Sequence, residues 1–228
     1  RSLLPWFNTA THRGGWRVAL LYPAQALNTI AANALLKVLE EPPAHTVFLL
    51  VTEAPDRLLP TLVSRCRRLP LAGPSTQAAM QWLAGQGMAQ PEQWLAAAGG
   101  TPLAALRLSR NQDSPCPGWL GQLLTPIAQG QRPDVGGLTE TLEKVAAPEW
   151  LDALQRAFTD LTLASHGLPV RYFPALADPA ARTAARVPPA RLADTAHWLN
   201  SQRALAGHTL NPKLFIHATL QRVALALA

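Results

Sequence analysis

The sequence predicts a fold in two parts, an α/β segment followed by an all-helical remainder. Two observations carry this expectation. Within the first 71 residues, short apolar runs bracket one amphipathic helix, and those runs lack the polar alternation of a strand with one wet face. After residue 72 the strand signals stop. Segments opened by Ser, Pro, Thr-Pro or Asn-Pro then recur to the end of the chain.

In order, residues 2–10 read as the end of a short helix limited by Pro5, and THRGG (11–15) as a turn. RVALLY (17–22) reads as a buried strand. From Ala24 to Glu41, Leu27, Ile30, Ala31, Ala34, Leu35 and Val38 recur at three and four, drawing one helical stripe that Pro42 and Pro43 stop. TVFLLVT (46–52) is a second buried strand, APDRLLPTLVSRC a loop with short helical turns, and RRLPL (67–71) a third, edge strand. Such strands belong to a parallel sheet covered on both faces, of which seventy or so residues make only a part.

Helices are expected at 75–86, 91–98 and 102–110, then beyond the linker NQDSPCPG at 117–130, 137–145, 148–166, 188–206 and 211–227. A Pro-rich interruption covers 169–189. The last helix opens on Asn211 as N-cap with Pro212 at the first helical position. Its apolar residues occupy more than one face, which fits a helix central to its own bundle or one shared with a subunit.

The composition, 48% hydrophobic and 15% charged over 228 residues, suits a globular chain with a good core. No apolar run is long enough to span a bilayer, and RSLLPWFNTATHRGG has no secretory-signal pattern. Cys66 and Cys116 form no C-x-x-C pair, so no cysteine zinc site is expected; two free thiols in a reducing cytoplasm are. A net charge of +6 is compatible with a polyanionic partner but does not specify one. Part of the excess is local, in Arg57, Arg65, Arg67 and Arg68.

Three stretches could carry chemistry. NALLKVLEEPP (33–43) ends in Glu40 and Glu41, which point about 100° apart on a helix and read as a solvated helix end rather than an acid/base dyad. Lys37 in the same stretch is either an exposed lysine or a phosphate contact. Thr52 would bring a hydroxyl to the carboxyl edge of the sheet, the usual ligand side, or would cap a turn. In VSRCRRLP (63–70), Cys66 separates Arg65 from Arg67 and Arg68. The latter two, on a strand, would point to opposite faces as surface charge or as a lining near DNA.

ANALLKVLEEPP (32–43), followed by FLLVTEAPDRLLPTLVSRCRRLPL (48–71), resembles the clamp-loader branch of the AAA+ ATPases. Weaker similarity continues through AGGTPLAALRL (98–108) and NPKLFIHATLQRV (211–223). The resemblance implies a partial P-loop AAA+ sheet domain at 1–71, a helical lid at 72–112 and a helical collar for oligomerisation at 113–228. It also implies that the phosphate loop, absent from this sequence, and a zinc module would precede Arg1.

In working ATPases of this family the strand equivalent to VALLYPA ends in Asp-Glu. Here Tyr22 and Pro23 stand there, and neither can ligate magnesium as a carboxylate or polarise water. Where motor subunits carry a sensing arginine, this chain offers Leu103, Ala104 and Ala105, with Arg107 nearby. The retained S-R-C arginine, Arg65, is by resemblance an arginine finger presented in trans to a neighbour's ATP. The implied picture is a non-hydrolysing subunit that binds no cofactor itself, with ATP and magnesium at the adjacent site. Its implied partners are gamma/tau and delta subunits, and through the complex a sliding clamp and primer-template DNA. The rival expectations are an ATP-hydrolysing motor subunit, opposed by Tyr22 and Pro23, and a non-specific DNA-binding protein, suggested by the charge.

Overall fold

The computed structural model describes residues 15–206 and 211–228; the helix end at 2–10 and all but the last residue of the THRGG turn lie outside the described residues. The chain divides into two compact units, Arg1–Ala72 and Gly73–Ala228.

The first unit holds β1 (Arg17–Leu21), α1 (Thr29–Glu40), β2 (Thr46–Leu50) and α2 (Pro60–Val63), with single 3-10 turns at Ala24–Ala26 and Pro55–Arg57. β1 and β2 pair in parallel, from Arg17 opposite Thr46 to Leu21 opposite Leu50. The expected single helix from Ala24 is broken because Asn28 takes the N-cap, its side chain accepting the Ala31 N–H at 2.8 Å. The buried face is also rotated from the expected stripe. Ala32 and Leu35 are buried beside Leu36, Leu39 and the Leu62 of α2, whereas Ile30 is 82% exposed. An Ala-rich helix offers two neighbouring stripes of similar quality, and the position of Leu62 selects one.

Two further expectations give way. Val18, Leu20, Val47 and Leu49 share one face of the sheet and are exposed, so among the described residues the sheet is covered on one side and not on both. Residues 67–71 form no strand: among the described residues the sheet has two strands, Pro70 has no N–H to donate, and Leu69 and Leu71 are exposed. A strand is defined by the neighbour it pairs with, and a short Arg-rich run cannot supply one.

The second unit is helical throughout. α3 (Thr76–Gly85), α4 (Pro91–Ala97) and α5 (Pro102–Asn111) enclose a small core of Ala79, Leu83, Trp94, Leu95 and Ala105. A larger core fills α6 (Gly118–Ala128), α7 (Val135–Leu142), α8 (Ala147–Ser165), α9 (Ala177–Ala184), α10 (Pro189–Leu205) and α11 (Pro212–Leu227). α8 is central, burying Trp150, Leu151, Leu154, Phe158 and Leu161. α11 buries Ile216, Leu220, Val223 and Leu227 on one side and turns Leu214 and Leu225 outward.

α9 lies inside the stretch that reads from sequence as a Pro-rich interruption. That stretch is ordered by Asp160, a residue of α8 that is 3% exposed. Its carboxylate accepts the backbone N–H groups of Arg171 at 2.7 Å, Tyr172 at 3.0 Å and Phe173 at 2.8 Å. From there Arg171 donates to the Gly99 carbonyl, and the Tyr172 ring lies so close that a Cβ on Gly99 would meet it at 3.2 Å. Gly99 also has φ +66°, so only glycine fits comfortably there. Arg156 of α8 donates to the Ala97 carbonyl at 2.7 Å while pairing with Asp152. The junction between the two helical cores is thus built from polar groups.

Replacing Asp160 by Ala leaves three backbone N–H groups without their acceptor and should cost about 3 kcal/mol in urea unfolding. The same carboxylate acts on Cys116, whose thiol is pushed up to about 11 by burial and then by the Asp160 charge. A raised thiol pKa means less thiolate at a given pH. Iodoacetamide at pH 8 should therefore label Cys116 about a hundredfold more slowly than an unfolded thiol, and faster in Asp160→Asn, as followed by mass spectrometry.

Candidate functional site

The candidate residues lie at two places on the first unit, the carboxyl ends of β1 and β2 and the turn after α2. Backbone hydrogen bonds fasten the two strand ends together: the Val51 N–H donates to the Leu21 carbonyl at 2.9 Å, and the Ala24 N–H to the Val51 carbonyl at 2.8 Å. That pairing sets Tyr22 beside Glu53, to which its hydroxyl donates at 2.9 Å. The position that would need a carboxylate for magnesium is thus a phenol tied to a neighbouring acid. Pro23 follows as the N-cap of the 3-10 turn and contributes no ligating atom.

Thr52 performs the turn role weighed for it. Its hydroxyl donates to Gln25 Oε1 at 2.8 Å and accepts the Ala54 N–H at 3.1 Å. These bonds keep the strand ends in register, and Thr52 shows no other polar partner among the described residues.

Arg65 sits on the closing turn of α2, its N–H donating to the Leu62 carbonyl at 3.2 Å. Leu62, 2% exposed, is pinned beneath α1 and anchors the turn. The guanidinium is held at several points. Nε donates to Glu40 Oε1 at 2.7 Å, and Nη2 forms an ion pair with the same oxygen. Nη1 donates to the Thr61 carbonyl at 2.8 Å and approaches Ser64 Oγ at 3.5 Å. The Arg65 side chain remains 31% exposed and that of Glu40 48%.

Glu40 therefore departs from the sequence expectation of a solvated helix end. One signal could have found it: an acid in the last turn of a helix faces the negative end of the macrodipole and gains from a cationic partner. Glu41, one residue on, makes no side-chain hydrogen bond or ion pair among the described residues. Glu53 is a second acid that the sequence did not mark.

Arg67 and Arg68 are exposed and make no hydrogen bond or ion pair among the described residues; with no strand at 67–71, the alternation expected for them does not apply. Lys37 is exposed in the last turn of α1. Burial of the partly covered Cys66 raises its thiol pKa, which lowers its thiolate fraction at a given pH. In the second unit, Leu103 and Arg107 lie exposed on α5, and Ala105 is buried in the small core.

Residues 1–75 match the family model described as DNA polymerase III, delta subunit. A delta' subunit of DNA polymerase III from Pseudomonas aeruginosa is 46% identical over 112 residues, covering 47% of this chain and 34% of that protein. The delta' subunit of Escherichia coli is 45% identical over 111 residues, covering 47% and 33%. A tau subunit of DNA polymerase III from Salmonella typhimurium is 45% identical over 71 residues, covering 31% and 11%. The matched part of the chain thus spans about a third of the length of its delta' relatives. The family match covers the β1–α1–β2–α2 unit with its S-R-C turn, and in about half of its length the chain is similar to delta' subunits of bacterial DNA polymerase III.

Proposed function

We propose that this chain acts in a clamp loader of the DNA polymerase III holoenzyme as a subunit that does not hydrolyse ATP and lends Arg65 to an adjacent subunit's ATP site. The observation that carries the reading is the contrast between two places on one small unit. At the end of β1, Tyr22 and Pro23 offer no carboxylate to a metal, and the nearest acid, Glu53, is engaged by the Tyr22 hydroxyl. On the turn after α2, a partly exposed guanidinium is held in place by its own chain.

Arginine suits the task because its planar, permanently charged fork matches phosphate oxygens and stabilises negative charge that redistributes during phosphoryl transfer. ATP and its magnesium would be held by the neighbour, and this chain's contribution is the positioned cation. Delta and gamma/tau subunits are the partners in this reading, with the sliding clamp and primer-template DNA engaged through the complex. The polymerase, a nucleotidyltransferase, is served by the loader without this chain performing its chemistry. Helices of the second unit would supply oligomeric contacts, for which the outward Leu214 and Leu225 of α11 are candidates. Arg67, Arg68 and Lys37, all exposed, are proposed as optional contacts to nucleic-acid phosphate, an electrostatic and sequence-independent role.

The test is Arg65→Ala in the full-length subunit, reconstituted into the complete loader with clamp and primed DNA. ATP turnover at the site it serves should fall by about 10³-fold or more, the range known for trans-acting fingers. Wild-type turnover would overturn the assignment. ATP hydrolysis by the isolated full-length subunit would instead favour a motor subunit.

A further inference from the structure

We propose that Glu40 is the positioning residue for Arg65, holding the guanidinium so that a fork of N–H bonds stays available for a phosphate; this rests on the finger reading above. Three observations lead to it. The first is which atoms are used. Glu40 Oε1 engages Nε and Nη2, and the Thr61 carbonyl engages Nη1 at 2.8 Å. A guanidinium has five N–H bonds, so Nη2 keeps one more, and Nη1 keeps one that is engaged only by the long 3.5 Å bond to Ser64 Oγ. The free Nη2 N–H and the weakly held Nη1 N–H are the donors left for phosphate oxygens.

The second observation is that Glu40 is itself fixed. It closes α1 immediately before Glu41 and the two prolines, and Leu35 and Leu39 of the same helix pack with Leu62 of α2. α1 and α2 are thus locked together by apolar contact, and the acid and the arginine are carried on elements that cannot drift apart independently. The third is that the partner is a carboxylate at a helix C-terminus, where the macrodipole disfavours negative charge. Glu40 therefore gains by facing a cation, and Arg65 is the cation within its reach.

A long side chain on an exposed turn would otherwise sample many rotamers, most of them useless for in-line phosphoryl transfer. Holding it beforehand places the rotamer loss in the free subunit rather than in the transition state, which is the origin of a positioning effect on rate. Because the pair is partly exposed, its own strength is modest, and an incoming phosphate does not have to displace it from a buried site.

The experiment uses the complete loader with clamp and primed DNA and measures kcat and KM for ATP separately. Glu40→Ala should lower kcat about tenfold with KM little changed, and Glu40→Gln, which retains an acceptor oxygen for Nε, should recover part of the loss. Glu41→Gln removes the same charge one residue away and should leave both constants at wild-type values. In an Arg65→Ala background, Glu40→Ala should have no further effect. If Arg65→Ala lowers turnover while Glu40→Ala does not, Glu40 has no positioning role and the finger stands. If Arg65→Ala itself is silent, the finger reading has failed. Equal losses with and without Arg65 would mean that Glu40 only supports the fold, and a rise in kcat for Glu40→Ala would mean that it restrains the arginine; either result overturns the proposal.

Discussion

The helical part of the chain depends on one buried carboxylate. Asp160 lies within the central helix α8 and gathers three successive backbone N–H groups from a segment that otherwise has few means of ordering itself. A carboxylate out of water is costly unless its lone pairs are filled, and here backbone donors fill them. Once 171–173 are held, Tyr172 covers Gly99, Arg171 reaches the Gly99 carbonyl, and α9 can begin a few residues later. Asp160 thereby fixes one side of the connection between the two helical cores, which Arg156 reinforces at the Ala97 carbonyl.

The first unit uses charge in the opposite way. Glu40 and Arg65 form an ion pair that stays in contact with water, the class worth at most about 1 kcal/mol to stability. A weak pair suits the proposed finger: strong enough to bias a rotamer, and weak enough for the same guanidinium to serve a phosphate. Asp160 could not be used this way, because withdrawing a partner from a buried charge would destabilise the unit that carries it.

How much of this was legible follows from the range of each interaction. Helix starts written as local caps were readable: Asn211 and Ser75 each accept an N–H three residues on, where the sequence placed them. Asp134 does the same for α7, but the glycines at 136 and 137 disguised the start, and the helix opens two residues earlier than expected. The parallel pair of strands and the placement of Arg65 on a turn were also legible, because apolar runs and prolines report locally. The stripe of α1 was misjudged, since choosing between two Ala-rich faces needs Leu62, over twenty residues away. Glu40 and Asp160 have partners that were not legible for the same reason, although the position of Glu40 in a last helical turn hinted at a cation. Each is an ordinary acid in its own helix, and its partner lies 25 or 11–13 residues further along the chain.

The uncovered face of Val18, Leu20, Val47 and Leu49 bears on how rigidity is distributed. The first unit rests on a core of Ala32, Leu35 and Leu62 among the described residues, far smaller than the one surrounding α8. Local openings there expose little new apolar surface, so the amides of β1 and β2 should exchange with solvent through small fluctuations, whereas those of α8 wait for near-global unfolding. The arginine is thus mounted on the softer portion of the molecule. Any apolar surface that came to lie on the sheet would slow that exchange, stiffening the mount without touching the guanidinium.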